Sequence, residues 1–271
     1  TVYVGGAYGG LWKSTTAANT DITKVFWTPI IDDQATIAVG SMAIQPGNPN
    51  LLLVGTGEAH SSSDSYYGLG ILRSEDGGNS WTLINTADNG SRVFHGLAFA
   101  KIAFSTDDPN LVVAAAASSS QGITVGAEAP NYDATRGIYY SQDSGKTWFK
   151  ATMSDGINGT PAEGSVSSVF FNPLERKFYA AFRAHGFYVS TDAVNWTRMG
   201  SGSFANYTQP LSTINFTNCP TLTPNVTGCP LYRGEITQVP GRNEMYVIVV
   251  DSSDANRGIF QTRDGGKTWV S

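Results

Sequence analysis

The chain has 271 residues, of which 14% are charged and 11% aromatic, with 30 glycines and a formal net charge of −5. It contains no Lys/Arg cluster of the kind that a nucleic acid needs, and no apolar run approaches the ~18–20 residues of a membrane helix. We therefore expect neither a nucleic-acid partner nor membrane insertion. The composition is typical of many short strands joined by tight turns, and the length is sufficient for one all-β domain.

A four-strand unit recurs along the chain. In residues 37–84 an apolar strand, a Pro/Asn/Gly turn and a second apolar strand are followed by a third and a fourth strand around an Asp-containing turn. The same order is found at 97–151, 165–199 and 234–271, whereas 1–30 fits a unit without its innermost strand and 200–233 forms an insert loop. Antiparallel units of roughly forty to seventy residues are the signature of β-propeller blades.

The prediction is therefore an all-β propeller of four-stranded antiparallel blades, four of them complete and one partial, forming one domain or fragment over 1–271. A linear β-solenoid is the alternative, but its repeats are shorter and more uniform. Because five blades make an unusually small ring, we expect an arc of a larger propeller. Thr1 already lies in an alternating strand, without an initiating Met or a signal peptide. We expect the chain to be a piece of a longer protein.

The turn between the third and fourth strands carries the pattern Ser/Thr-x-Asp-x-Gly-x-x-Trp, and we call each copy an Asp turn. The Asp accepts backbone N–H groups of its own turn, the hydroxyl ties the turn down, the Gly permits a positive φ, and the Trp begins the next strand. The residues with these roles are Ser74, Asp76, Gly78 and Trp81; Ser141, Asp143, Gly145 and Trp148; Thr262, Asp264, Gly266 and Trp269; and, in a shortened copy without the Gly, Ser190, Asp192 and Trp196.

This repeated pattern resembles the Asp-box, or BNR-type repeat. Over essentially its whole length the chain resembles the propellers shared by sortilin-type receptors and xyloglucan-cleaving glycoside hydrolases; sialidases and the photosystem II assembly propeller also carry the motif. The resemblance implies the fold, but not one activity, since the motif is found in enzymes and binding proteins alike.

Two enzymatic branches of the resemblance can be tested on the residues. Xyloglucanases are similar at Gly5–Tyr8 (G-G-A-Y), but the residue two positions before the first Gly, a catalytic Asp in those enzymes, is Tyr3 here. The Arg-Ile-Pro string that begins the arginine triad of sialidases does not occur. Both departures favour a protein without catalysis.

Variable loops are expected on the face opposite the Asp turns, which we call the loop face. In a propeller this face carries the loops between the second and third strands and the loops between blades, and binding residues are usually found on such loops. The weak catalytic candidates are the carboxylates Glu58, Asp64 and Asp133, because a glycosidase needs two carboxylates about 5–10 Å apart. The alternative is that they are solvated residues of an acidic protein.

The same loops supply candidate ligand-binding residues. Tyr66, Tyr67 and Tyr132 are suited to stacking on a sugar or a peptide, with His60 beside them, although Tyr66 and Tyr67 equally fit a wedge that holds the loop on its blade. The three histidines, His60, His95 and His185, belong to different blades without ligand-like spacing. We interpret them as solvated loop residues and expect no metal and no other cofactor.

Cysteine and sequon positions indicate the compartment. Cys219 and Cys229 lie in a Pro/Thr-rich loop and predict a local disulfide, with two free thiols as the alternative. Six N-x-S/T sequons occur, at Asn89, Asn158, Asn195, Asn206, Asn215 and Asn225. Together they favour a secreted glycoprotein, in the secretory pathway or outside the cell. All sequons except Asn195 are predicted on the loop face, where glycans would obstruct a polysaccharide cleft.

Two functional hypotheses follow. The first is a non-catalytic extracellular propeller that binds a protein or glycan partner or assembles with itself. The second is a xyloglucanase-like glycoside hydrolase that uses loop carboxylates. The absent catalytic signatures and the predicted glycans favour the first.

Overall fold

The computed structural model describes residues 1–60, 62, 64–119, 135–154, 164–210, 233–251 and 255–271. Regular structure in these ranges is mostly β-strand, with short 3₁₀ helices at Ile22–Lys24, Asp88–Gly90 and Gly202–Phe204. The predicted all-β fold is confirmed.

The strands form consecutive antiparallel sheets. The first sheet contains β1 (Val2–Gly6), β2 (Gly10–Ser14) and β3 (Thr28–Pro29). The second contains β4 (Val39–Gln45), β5 (Asn48–Thr56), β6 (Ile71–Ser74) and β7 (Thr82–Ile84). A small hairpin, β8 (Thr86–Ala87) and β9 (Arg92–Val93), precedes the third sheet of β10 (Leu97–Phe104), β11 (Val112–Ser118), β12 (Gly137–Ser141) and β13 (Phe149–Lys150).

The fourth and fifth sheets follow the same meander. The fourth contains β14 (Thr152–Ser154), β15 (Val166–Asn172), β16 (Lys177–Phe182), β17 (Gly186–Ser190) and β18 (Asn195–Arg198). The fifth contains β19 (Arg233–Gln238), β20 (Met245–Val250) and β21 (Asn256–Thr262). Beside β21, a fourth strand is reduced to the bridge between Gln261 and Val270. The extra strand β14 pairs in parallel with β18 at the outer edge of its sheet.

Apolar clusters lie between neighbouring sheets. Leu53, Phe99 and Trp148 belong to one such cluster, and all three are at most 1% exposed. Gly145 fits this packing for two reasons: its φ is +80°, and a Cβ atom there would lie 2.8 Å from Leu53 Cδ2 of the preceding sheet. The first strands β4, β10, β15 and β19 contact one another in sequence, which places them at the centre of the arrangement.

The Asp turns are held by one repeated set of hydrogen bonds. Ser141 Oγ donates to Asp143 Oδ1 at 2.7 Å, and the backbone N–H groups of Lys146 and Thr147 donate to the same oxygen at 3.0 and 2.9 Å. Thr147 Oγ1 donates to Oδ2 at 2.6 Å. Asp76 and Asp264 accept the equivalent bonds. The carboxylates are therefore committed to their own turns.

The connections between blades pass the Trp of the next Asp turn. Trp81 Nε1 donates to Ile30 O at 2.8 Å, and Trp269 Nε1 donates to Thr208 O at 2.9 Å. In the fourth sheet, β14 places Met153 opposite Trp196. At these points the connections lie beside the outer edge of the following blade, where β14 pairs with backbone groups that β18 would otherwise leave unpaired. The expectation that the connections lie on the loop face is wrong for these stretches, although Ile37 and Ala38, which accept the N–H groups of Gly10 and Gly57, do lie at that face.

Candidate functional site

The loop of residues 57–70, between β5 and β6, is anchored firmly at its base. Thr56 Oγ1 donates to Gly70 O at 2.6 Å and accepts the N–H groups of Leu69 and Gly70. Gly68 N donates to Leu97 O at 2.6 Å, which ties the loop to the next blade. These hydrogen bonds tie the two ends of the loop to each other and to the following blade.

The structure separates the two described carboxylate candidates by their surroundings. Glu58 is half-buried, and its backbone N–H donates to Tyr66 O at 2.7 Å. Asp64 is exposed, and Ser62 Oγ donates to its Oδ1 at 2.5 Å. The Ser62 hydroxyl holds the pKa of the Asp64 carboxyl below its ordinary value. This contact favours the ionised carboxylate, which suits a base or nucleophile better than a general acid.

The tyrosines of this loop differ in exposure. Tyr66 is 39% exposed and meets Tyr8, which is 47% exposed, edge to face with ring centroids 4.0 Å apart. Tyr8 belongs to the turn between β1 and β2, the equivalent turn of the preceding blade. Tyr67 is half-buried and packs edge-on against His95 at 5.2 Å. Tyr67 thus acts as a wedge under the loop, whereas Tyr66 and Tyr8 offer an aromatic surface to solvent.

The histidines do not behave as a group. His60 and His95 are exposed, but His185 is fully buried and packs against the ring of Phe182. The interpretation of His185 as a solvated residue is wrong because the short connection between β16 and β17 turns its ring inward. In the described part of the chain, no group of three His, Cys, Asp or Glu side chains is arranged to hold a metal ion.

Several predicted residues lie outside the described ranges. They are Tyr132, Asp133, Cys219, Cys229, Asn158, Asn215 and Asn225.

A small cavity of about 170 Å³, which we call the central pocket, opens among the first strands of the blades. Register shifts place one extra residue in each of β4, β10 and β15, and these bulged residues, Gly40, Ala100 and Ser167, all line the pocket. Bulges re-aim side chains and are over-represented beside functional sites. The remaining lining residues are Ala59, His60, Lys101, Arg233 and Glu235.

Sequence reasoning missed the charged residues of the central pocket. They are isolated in the chain, but the four-strand repeat aligns them. Gly40-Ser41, Ala100-Lys101, Ser167-Ser168 and Gly234-Glu235 occupy equivalent places in four first strands, by the pairing registers. The sequence pattern that could have revealed the pocket is a small residue followed by a polar one, which recurs in the first strand of each of these four blades.

None of the described sequons belongs to the Tyr8–Tyr66 pair or to the lining of the central pocket. Asn89 lines a separate hollow of about 310 Å³ with Lys146, Thr147 and Trp148 of the next Asp turn. Asn195 is part of an Asp turn, and its Nδ2 donates to Asp192 Oδ2 at 2.9 Å. Asn206 is exposed, two residues before Thr208, whose Oγ1 donates to Lys267 O at 2.9 Å. The placement of Asn89 and Asn206 on the loop face is therefore corrected: both lie beside Asp turns.

Comparison with solved structures supports the propeller fold. The chain is similar to an ancestral GH74 enzyme, with 20% identity and a TM-score of 0.64, over 99% of this chain and 29% of that enzyme. It is also similar to YCF48 from Cyanidioschyzon merolae, with 16% identity and a TM-score of 0.47, over 86% of this chain and 55% of the other. A GH74 xyloglucanase from Xanthomonas campestris gives 17% identity and 0.36, over 86% and 32%. No family model and no curated protein sequence matches the chain.

The fold is that of a β-propeller. At these identities the likeness establishes the fold alone, and the chain spans less than a third of the length of the ancestral enzyme. No helix in the described ranges is long and apolar enough to cross a membrane.

Tyr3 has a structural role. Its Oη donates to Gly77 O at 3.0 Å, and Lys13 Nζ donates to the same carbonyl oxygen at 2.7 Å. Burial raises the pKa of the Tyr3 hydroxyl, which keeps it protonated. Tyr3 thus links the first blade to the Asp turn of the second.

Proposed function

We propose that this chain is a secreted, N-glycosylated Asp-box propeller that acts as a non-catalytic glycan-binding module, with its ligand on the loop face. The observation that carries the proposal is the exposed Tyr8–Tyr66 pair, with ring centroids 4.0 Å apart. Exposed aromatic rings held in a fixed geometry suit the apolar face of a sugar ring, and clustered exposed apolar side chains mark binding surfaces. The anchored base of the 57–70 loop supports the same role.

Two positions where a glycoside hydrolase would need catalytic carboxylates support binding rather than hydrolysis. Tyr3 stands where the resembling xyloglucanases have a catalytic Asp, and its hydroxyl is engaged with Gly77 O. The Ser62 hydroxyl holds the pKa of the Asp64 carboxyl below its ordinary value, which does not favour a role as general acid.

The positions of the described sequons are compatible with an accessible loop face. Asn89 and Asn206 are exposed beside Asp turns, and Asn195 lies within one. Sugars on these three asparagines would cover outer edges and the Asp turns. Sugars at these positions would leave the loop face open, so they are compatible with a ligand there and would not obstruct a polysaccharide cleft.

Glycoside hydrolysis is the second candidate. The observation that favours it is the likeness of fold between 99% of this chain and the ancestral GH74 enzyme. Glu58, half-buried beside Tyr66, would be the acid or base, and Asp64 the second carboxylate.

A single set of proteins tests both candidates. The purified chain is screened for binding to a panel of β-glucans, xyloglucan and acidic polysaccharides, and the same samples are assayed for released reducing ends. We expect binding that Tyr66→Ala abolishes and that Phe26→Ala, which removes another exposed ring (68% exposed), leaves intact. Binding unaffected by Tyr66→Ala, or binding only to proteins, contradicts the proposal. Release of reducing ends that is lost in both Glu58→Gln and Asp64→Asn establishes the hydrolase instead.

A further inference from the structure

We propose that the central pocket binds the carboxylate of an acidic sugar such as a uronic acid, an inference that rests on the proposed glycan-binding function and narrows its ligand class. Three observations carry it: the charge balance of the pocket, the polar environment of Arg233, and the size of the cavity.

The charges that line the pocket do not cancel. Lys101 Nζ and Glu235 Oε1 are 3.2 Å apart, and both side chains are about half exposed (47% and 50%). Ser168 Oγ also donates to Glu235 Oε1, at 2.9 Å. This pair joins β10 to β19 across the centre and neutralises itself. Arg233 then remains as the net positive charge of the pocket lining.

Arg233 is placed to receive an anion. It is half-buried, and no carboxylate of the described residues lies within ion-pair distance of it. Its polar contact is with the imidazole of His60, from Arg233 Nη2 to His60 Nδ1 at 3.3 Å. A guanidinium has five N–H donors in a planar fork that matches a carboxylate. Most of this donor capacity is available to a ligand.

His60 and Lys101 extend the donor set. An imidazole that accepts at Nδ1 carries its proton on Nε2, so His60 offers one further N–H group within the lining of the pocket. Lys101 has three N–H donors, of which one points to Glu235. The bulged residues beside them, Gly40 and Ala100, have minimal side chains and keep the cavity open.

The cavity fits a substituent and not a polymer. Its volume of about 170 Å³ corresponds to about five or six water molecules at about 30 Å³ each. Whole drug-sized ligands occupy about 300–1,000 Å³. The pocket therefore admits an acidic group of a sugar, while the rest of the ligand remains on the loop face.

The experiment compares glucuronate with glucose, which has the same ring without the carboxylate. Each is titrated into the purified chain, and binding is followed by NMR chemical shifts. We expect glucuronate to bind, glucose to cause no comparable shift, and NaCl to weaken glucuronate binding. Arg233→Gln is expected to weaken it about tenfold or more, because charge-assisted hydrogen bonds to the carboxylate are lost. Arg233→Lys keeps the positive charge but lacks the planar pair of N–H donors, so its glucuronate affinity is expected to lie between those of the parent and of Arg233→Gln.

Arg176→Gln is the matched control. Arg176 is an exposed cation in the turn between β15 and β16, and it pairs with Asp107. Its replacement should leave glucuronate affinity unchanged. Thermal unfolding of each variant near that of the parent shows that the fold is intact. Equal shifts for glucose and glucuronate, or full glucuronate affinity in Arg233→Gln, would overturn the inference. Competition by inorganic sulfate without competition by acetate would also overturn it, because the site would then select sulfate.

The two proposals fail separately. If a neutral β-glucan binds through Tyr66 and glucuronate does not bind, the carboxylate pocket is wrong and the glycan-binding function stands. If glucuronate binds through Arg233 but Tyr66→Ala changes no polysaccharide binding, the proposed surface is wrong and the pocket stands.

Discussion

The ring of Tyr8 meets the ring of Tyr66 edge to face, with an interplanar angle of 86°. The two residues lie in corresponding loops of neighbouring blades, 58 positions apart in the chain. Their contact fixes the relative position of these loops where no strand pairs the two blades. The same contact creates the exposed surface on which the proposed function rests.

The first prediction is an energetic coupling between these two rings. In a double-mutant cycle with Tyr8→Ala and Tyr66→Ala, followed by urea unfolding, we expect a coupling of about 0.5–1.5 kcal/mol, the usual value for an aromatic pair. The control cycle pairs Tyr8→Ala with Val93→Ala, an exposed residue in another blade connection, and should be additive. Additivity of the Tyr8 and Tyr66 changes would show that the loops are not joined in solution.

The second prediction concerns strain in the shortened Asp turn. Ala193 is buried with a φ of +64° in the place where the full turns have Gly, and its carbonyl accepts Trp196 Nε1 at 2.8 Å. A residue with a Cβ loses about 1–2 kcal/mol in this conformation. Ala193→Gly should therefore raise the free energy of unfolding by up to about 1 kcal/mol, since the greater freedom of Gly in the unfolded chain offsets part of the gain.

Ser144→Gly provides the contrast. Ser144 also has a positive φ, of +59°, but its Oγ donates to Asn110 Oδ1 and accepts from Gln45 Nε2, both at 2.8 Å. Each lost hydrogen bond costs about 0.5–1.5 kcal/mol, so this variant should be neutral or less stable than the parent. Equal stabilisation by both glycines would mean that side-chain bonding at Ser144 contributes nothing.

The fold was predictable because its signals are local and repeated. The hydroxyl, Asp and Gly of each Asp turn act within about five residues, so their spacing specifies their hydrogen bonds directly. The path of the blade connections was not predictable in the same way. The indole of Trp81 donates to Ile30 O and that of Trp269 donates to Thr208 O, and these acceptors are 51 and 61 residues away in the chain. Only the packed blades show which carbonyl reaches each indole.

The candidate site was predictable only in part, for a related reason. Tyr66 was identified because it lies in a long inserted loop. Its partner Tyr8 lies in a short turn whose sequence has no feature that marks a binding site. Lys101, Arg233 and Glu235 meet only because the first strands of separate blades surround one centre. Burial of His185 depends on a tight turn that single-residue polarity does not reveal.

The third prediction concerns acid stability. Hydrogen bonds from the Ser80 side chain, the Ser80 backbone and Ser74 lower the pKa of Asp76 to about 2 from its ordinary value of 3.8. Because the folded pKa is the lower one, the stabilisation is complete above about pH 4 and is lost as the pH falls towards 2. The urea midpoint should fall over this interval, and Asp76→Asn should have a lower midpoint at pH 6 and a smaller fall.

Ser80→Ala tests the cause. Without the hydroxyl that donates to Asp76 Oδ2 at 2.6 Å, the acid transition should begin at a higher pH than in the parent. An Asp76→Asn protein that keeps the full acid-induced fall would show that this turn is not its source.

The fourth prediction separates the surface that carries the described sequons from the proposed binding surface. Asn89, Asn195 and Asn206 are exposed at or beside Asp turns, so we expect sugars on them to leave Tyr66 and the central pocket uncovered. After secretion from a eukaryotic host, mass spectrometry should find glycan on these asparagines. The triple variant with Gln at the three positions should bind polysaccharide with the affinity of the parent. The matched opposite is His60→Asn, which with Ser62 creates a sequon at an exposed position of the 57–70 loop; His60→Gln is its control without a glycan. A glycan added there should block binding, and unchanged affinity in that variant would place the ligand on another face.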